Sequence, residues 1–104
     1  MSPENAIKLL ANPTRVAVLK WLKNPDEAFA DYTQLYPFEQ YGVCASLIQD
    51  KAGLSQPATS LCLKALHDVG LLEASKVGKW TYYRRREQAV REMNQMVIQS
   101  LQEL

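Results

Sequence analysis

A helix stop and a helix start lie two positions apart in the middle of this chain, and few folds accommodate that. From Val43, apolar side chains continue at helical spacing through Cys44, Leu47 and Ile48 as far as Gly53, a residue suited to the left-handed turn that closes a helix. Leu54 follows, and Ser55 can cap a second helix with Pro57 inside its first turn. Two short helices across a tight glycine-containing turn describe a helix-turn-helix, here spanning 43–68.

The flanking segments read as follows. Ser2-Pro3-Glu4 and Asn12-Pro13 each combine a capping side chain with a proline where its missing N–H costs nothing, so helices are expected from there to about Ala11 and to Asn24-Pro25. In the second of these, Arg15, Val18, Leu19 and Leu22 recur at helical spacing. Beyond Gly70, two strands, Leu71 to Lys76 and Lys79 to Arg85, flank Val77-Gly78 as a hairpin within 71–86. The segment 87–104 places Val90, Met93, Val97, Leu101 and Leu104 at steps of three and four, which makes a long amphipathic helix whose apolar stripe needs cover. The fold class is mainly α with a small β-hairpin, in one domain covering 1–104.

The stretch 24–42 differs in kind. It holds five aromatics, Phe29, Tyr32, Tyr36, Phe38 and Tyr41, without helical periodicity, and reads as an extended loop. A loop of that length in a small domain is either a functional surface or a segment whose pattern misleads.

Charge is sorted along the chain although the net charge is only +1. Lys76, Lys79, Arg84, Arg85 and Arg86 crowd the hairpin with no acid among them, whereas 24–50 carries acids and no Lys or Arg. A basic hairpin beside a helix-turn-helix is what phosphate contact requires, because counterion release supplies most non-specific affinity for duplex DNA. A solvated charged hairpin is the plain alternative.

Three stretches in order, "LLANPTRVAVLKWL", "AGLSQPATSLCLKALHDVGLL" and "GKWTYYR", resemble landmarks of the ArsR/SmtB family of bacterial transcriptional repressors. The resemblance covers nearly the whole chain apart from 24–42. It implies a winged helix-turn-helix homodimer, paired through its terminal helices, that binds palindromic operator DNA and lets go when an effector binds, often a metal or metalloid ion. By position it puts Ser55, Gln56, Pro57, Ser60 and Lys64 on the recognition helix and Lys76, Lys79 and Arg84 on or beside the wing. Gln56 suits a paired contact with adenine, and the wing cations suit the backbone or a narrow minor groove. Ser55 can serve as a helix cap as well, and Leu61 is either a thymine-methyl contact or a stray surface residue. The stripe of the last helix, Val90, Met93, Val97, Leu101 and Leu104, is expected at the dimer interface, with the first helix helping.

The effector is not legible. Thr59, Cys62, Leu63 and Leu66 share one helix face, so Cys62 is expected to point inward as a small hydrophobe rather than act as a sensor. Cys44 falls where arsenic-responsive members look similar in carrying the first thiol of a Cys-x-Cys pair, but here the residues are Cys44-Ala45-Ser46. A thiophilic ion needs two or three converging thiolates, so no metal site is expected unless Cys62 or the other subunit contributes; Cys44 is either a packed thiol or, if exposed, a redox sensor. The last helix has no His or Cys for the family's other metal site, and His67 reads as a surface residue.

No catalytic constellation or cofactor motif is present, so an enzyme is not expected. The aromatic 24–42 segment is the remaining candidate for recognising a small-molecule effector, against a plain role in packing or dimer support. Competing readings are a thiol-based redox regulator using Cys44 and a winged-helix module that binds protein. With no membrane-length apolar run and no visible signal peptide, the expected location is the cytoplasm.

Overall fold

The computed structural model describes all residues from Met1 to Leu104. Helix α1 (Pro3–Leu10) starts as its sequence dictates: the Ser2 hydroxyl accepts the Asn5 N–H at 3.1 Å and proline occupies the first turn. Helix α2 (Pro13–Lys23) repeats the device, with Asn12 Oδ1 accepting from the Thr14 and Arg15 N–H groups at 2.9 and 3.1 Å. It stops before Pro25, as the restriction on the residue preceding proline requires.

The 24–42 segment is not an open loop. It folds into two single-turn helices, α3 (Pro25–Ala28) and α4 (Phe38–Tyr41), and sends Phe29 into the core with no exposed surface. Trp21, Tyr32 and Phe38 surround Phe29 with ring centroids 5.6 to 6.2 Å away, in edge-on or tilted geometries favoured by aromatic quadrupoles. A second group, Tyr36 and Tyr41, packs against Tyr82 of the wing. The segment buries aromatic rings one at a time from irregular backbone, so neither period 2 nor period 3.6 appears in its sequence.

Val43 and Cys44 correct the expected helix start. They form a short strand β1 (Val43–Cys44), and helix α5 begins only at Ala45 and ends at Ala52. Strand β1 pairs antiparallel with β3 (Trp80–Arg85), Val43 opposite Tyr83 and Cys44 opposite Tyr82, while β3 also pairs with β2 (Leu72–Val77). The hairpin is therefore the larger part of a three-stranded sheet ordered β1-β3-β2, turning at Gly78-Lys79, one residue later than expected. Gly42 makes this possible, since its φ is 88° and a Cβ there would run into the Tyr83 carbonyl.

Helix α6 (Gln56–Asp68) follows α5 across Gly53, whose left-handed φ of 66° closes α5 with N–H bonds back to Gln49 and Asp50. The chain ends in α7 (Glu87–Gln102), which packs on α1. Val18, Leu22, Ile48, Leu63, Leu66 and Leu72 make the centre of one core shared by these elements. No helix is long and apolar enough to cross a membrane.

Candidate nucleic-acid interface

Helix α6 separates its faces cleanly. Thr59, Leu63 and Leu66 are buried, whereas Gln56, Pro57, Ser60, Leu61 and Lys64 face solvent, Leu61 with 70% of its surface exposed. The Ser55 hydroxyl accepts the Ala58 N–H at 3.3 Å, and the Thr59 hydroxyl donates back to the Ser55 carbonyl at 2.9 Å. Those two bonds set the angle at which the first turn leaves the domain, and Pro57 stiffens it.

A cleft of about 410 Å³ separates the start of α6 from the wing. Gln56 and Ser60 line one wall; Lys79, Trp80 and Thr81 line the other, and Gln49 of α5 lies between. Two expected contact residues of the reading helix thus meet one expected wing cation in a single concave surface. Trp80 was not anticipated there. Its place next to the Gly78-Lys79 turn was the available signal, because a turn-flanking ring on a narrow hairpin has little core to enter. Lys79 Nζ rests 5.4 Å from the centroid of that ring, a cation–π distance.

The other expected cations divide. Lys76 is exposed on β2 and Arg86 is exposed after β3. Lys64 is exposed but pairs with Asp68 at 2.7 Å, and this ammonium holds the Asp68 carboxyl below the usual range. Such an i,i+4 surface pair is weak and can exchange its partner for a phosphate. Arg84, expected on or beside the wing, is exposed there and also bonded within the domain: its guanidinium binds Glu73 at 3.3 Å and the carbonyls of Glu39 and Gln40 at 3.5 and 3.3 Å. Arg85, with its side chain 9% exposed, donates to the Leu19 carbonyl at 3.1 Å and pairs with Glu87 at 3.0 Å. Both arginines hold the domain together.

The thiols are not displayed. Cys44 is buried, its Sγ accepting a bond from the Ser46 hydroxyl at 3.2 Å, so the exposed sensor considered for it is not what the fold presents. Cys62 is half-buried on the inner side of α6, where burial pushes its thiol up and the positive charge of Arg15 pulls it partly back. No group of three or more His, Cys, Asp or Glu side chains converges to hold a metal ion.

The stripe of α7 also divides. Val90 and Met93, expected at a dimer interface, are buried in the protomer's own core, because the first half of α7 lies over it. Val97 packs partly against that core, while Leu101 is exposed together with Ile98 and, on α1, Ile7; Leu104, expected on the helix, lies beyond its end at Gln102 and is fully exposed.

A three-stranded sheet with a basic hairpin, set beside a helix that displays its polar face, defines a winged helix-turn-helix DNA-binding domain. No family model matches the chain. It is 40% identical over 90 residues to YbzH, an uncharacterised HTH-type transcriptional regulator of Bacillus subtilis, spanning 86% of this chain and 89% of that one. It is also 30% identical over 81 residues to ArsR2 of Halobacterium salinarum, a proposed arsenical resistance operon repressor, spanning 78% of this chain and 56% of that one. Among solved structures it resembles a homodimeric winged helix-turn-helix domain from Mycobacterium bovis described as a possible ArsR-family transcriptional regulator, with a TM-score of 0.60, 25% identity, and coverage of 96% of this chain and 77% of that one. A crystal structure of a possible transcriptional regulatory protein from the same organism shares the fold at a TM-score of 0.61, with 24% identity and coverage of 97% and 90%. The chain belongs to the ArsR family of helix-turn-helix transcriptional regulators, which are DNA-binding proteins and not enzymes.

Proposed function

We propose that two copies of this chain form a repressor that holds a pair of α6 helices in successive major grooves of operator DNA, with the wings on the flanking backbone. The supporting observation is the cleft that joins Gln56 and Ser60 to Lys79 and Trp80, with the exposed Lys76 paired across the sheet from Thr81 of the cleft wall. Gln56 reads a base edge, Ser55 and Ser60 reach phosphate or base, and the cations of the wing neutralise phosphates. Lys64 joins them by leaving Asp68. Pro57 presents the first turn without touching DNA through a donor, as it has none.

The dimer face proposed here is the distal half of α7 with α1: Val97, Ile98 and Leu101 beside Ile7, with Leu104 just past the end of α7. Val90 and Met93 support it from inside the protomer. Exposed large apolar side chains on two helices that pack on each other support this placement, as does the homodimer of the Mycobacterium bovis domain. The protein works in the cytoplasm, where its DNA is, and its release from DNA is driven by a small-molecule effector. The buried Cys44 thiol favours that over a redox trigger.

Fluorescence anisotropy with a duplex, repeated across a salt series, tests the DNA-binding part. Each neutralised phosphate contributes about −0.9 to the slope of log affinity against log salt, so a dimer using Lys64, Lys76, Lys79 and Arg86 of both copies should give a slope of about −7. A flat response contradicts the assignment and favours a winged-helix module for protein partners.

A further inference from the structure

Behind the wing lies a second hollow of about 230 Å³, separate in its lining from the DNA cleft except at Cys44, Ser46 and Trp80. Leu35, Leu47, Trp80 and Tyr82 give it apolar and aromatic walls, and none of the residues around it is Asp, Glu, Lys, Arg or His. The DNA cleft, by contrast, contains Lys79. We propose that this hollow binds a small uncharged aromatic molecule of phenol or indole size, and that Trp80 transmits its occupancy to the DNA-facing cleft. The proposal rests on the regulator reading above and names the ligand class for its effector.

Size and chemistry narrow the occupant. Pockets for drug-sized ligands run from about 300 to 1,000 Å³, so this one takes a single ring or a compact bicycle. A charged ligand would lose hydration without gaining a partner there. The Gln34 amide is already committed: Nε2 donates to the carbonyls of Tyr36 and Gly42, both at 2.8 Å, and Oε1 accepts the Cys44 N–H at 2.9 Å. What remains for a ligand are the hydroxyls of Thr33 and Ser46, the Tyr82 phenol and the Trp80 indole N–H. The Ser46 proton points to Cys44 Sγ, which leaves its oxygen lone pairs to accept from a ligand O–H or N–H. One apolar ring with a single hydroxyl or N–H, which can bond to one of these groups, suits the site.

The same bonds explain how occupancy is read. Gln34 locks the 34–44 segment to β1, and Phe29 anchors the segment before it in the core, so the floor is fixed. Trp80 stands at the wing tip, belongs to both hollows, and carries Lys79 over its ring. A ring seated against Leu35 and Leu47 changes where the indole can lie. Lys79 moves with it, away from the position that meets phosphate opposite Gln56.

The test is a titration of the 15N-labelled 104-residue chain, followed by amide and indole N–H shifts, with 4-methylphenol as the probe and benzoate and benzylamine as charged comparisons. Saturable shifts at the Trp80 indole and at the Leu35 and Leu47 amides are expected with 4-methylphenol, with the charged rings at least tenfold weaker. Leu35→Glu, at a position 79% exposed and so tolerant of substitution, should keep the folded spectrum and weaken 4-methylphenol at least tenfold. Saturating 4-methylphenol should lower the duplex affinity of the unmodified chain at least fivefold and leave that of the variant unchanged. Absence of saturable shifts, shifts centred elsewhere, equal response to charged rings, or an unaffected variant would overturn the site. Binding that leaves DNA affinity untouched would overturn the transmission through Trp80. Failure of the ligand-free chain to bind duplex DNA would sink the regulator reading instead, and the titration would still report on the hollow by itself.

Discussion

The 24–42 segment and the wing meet across β1 and β3, and each is the opposite of what its composition suggests. The segment is acidic, irregular and long, yet it delivers Phe29 to the centre of the core and packs Tyr36 and Tyr41 on the back of the sheet. The wing carries a run of cations that reads as one basic surface, yet Arg84 and Arg85 are bonded within the domain while Lys76, Lys79 and Arg86 stand free. Partnership therefore decides what a residue does here. An aromatic without periodicity can be structural, and a cation within a basic run can be a strut.

The sharpest way to break the comparison is Phe29→Ala. Removing a fully buried ring leaves a cavity, and a loss of about 3–5 kcal/mol is expected in urea unfolding, whereas Leu35→Ala in the same segment should stay within about 0.5 kcal/mol. Equal effects at both positions would restore the segment to a plain loop.

The two kinds of wing cation separate next. Arg85→Ala removes the bond to the Leu19 carbonyl and the pair with Glu87 from a largely buried site and should cost about 1–3 kcal/mol of stability. Lys79→Ala should leave stability within about 0.5 kcal/mol and flatten the salt slope of DNA binding by about 1 for each copy in the dimer. A destabilising Lys79→Ala, or a neutral Arg85→Ala, would undo the division.

The smallest effect lies at alkaline pH. Burial raises the Cys62 thiol and the phenols of Tyr82 and Tyr83 above their ordinary values. The folded chain then keeps these protons to higher pH than the unfolded chain, so their contribution is complete below the unfolded values and is lost as pH climbs through the folded ones. The urea midpoint should fall gradually above about pH 9, where such groups begin to ionise in unfolded chains. Cys62→Ser should lessen the slope. A midpoint that rises with pH in this range would contradict the burial.

What was legible in the sequence follows the same division. Elements whose ends are marked by local chemistry could be read directly: Ser2, Asn12, Gly53 and Ser55 announce α1, α2 and the turn of the helix-turn-helix because capping depends on one or two residues. The exposed face of α6 was legible by spacing alone. Strand β1 was not, since two residues are too few to show alternation and its pairing with Tyr82 and Tyr83 is a long-range fact. Nor was the split in the α7 stripe: Val90 and Leu101 obey the same period, and only the tertiary position of the helix decides that one is buried in the protomer and the other exposed. Gln34 gave no signal, because a single amide that bonds three backbone groups looks like any polar loop residue.

The central claim is that paired reading helices are presented to DNA at the spacing of its helical turns. Selection of bound sequences from randomised duplexes, followed by footprinting of the enriched pool, tests it most directly. The expected result is a two-fold symmetric site whose half-sites lie about 10 base pairs apart, or a whole multiple of that, with protection over both. No enrichment, or a single asymmetric site protected by one copy of the chain, would contradict it.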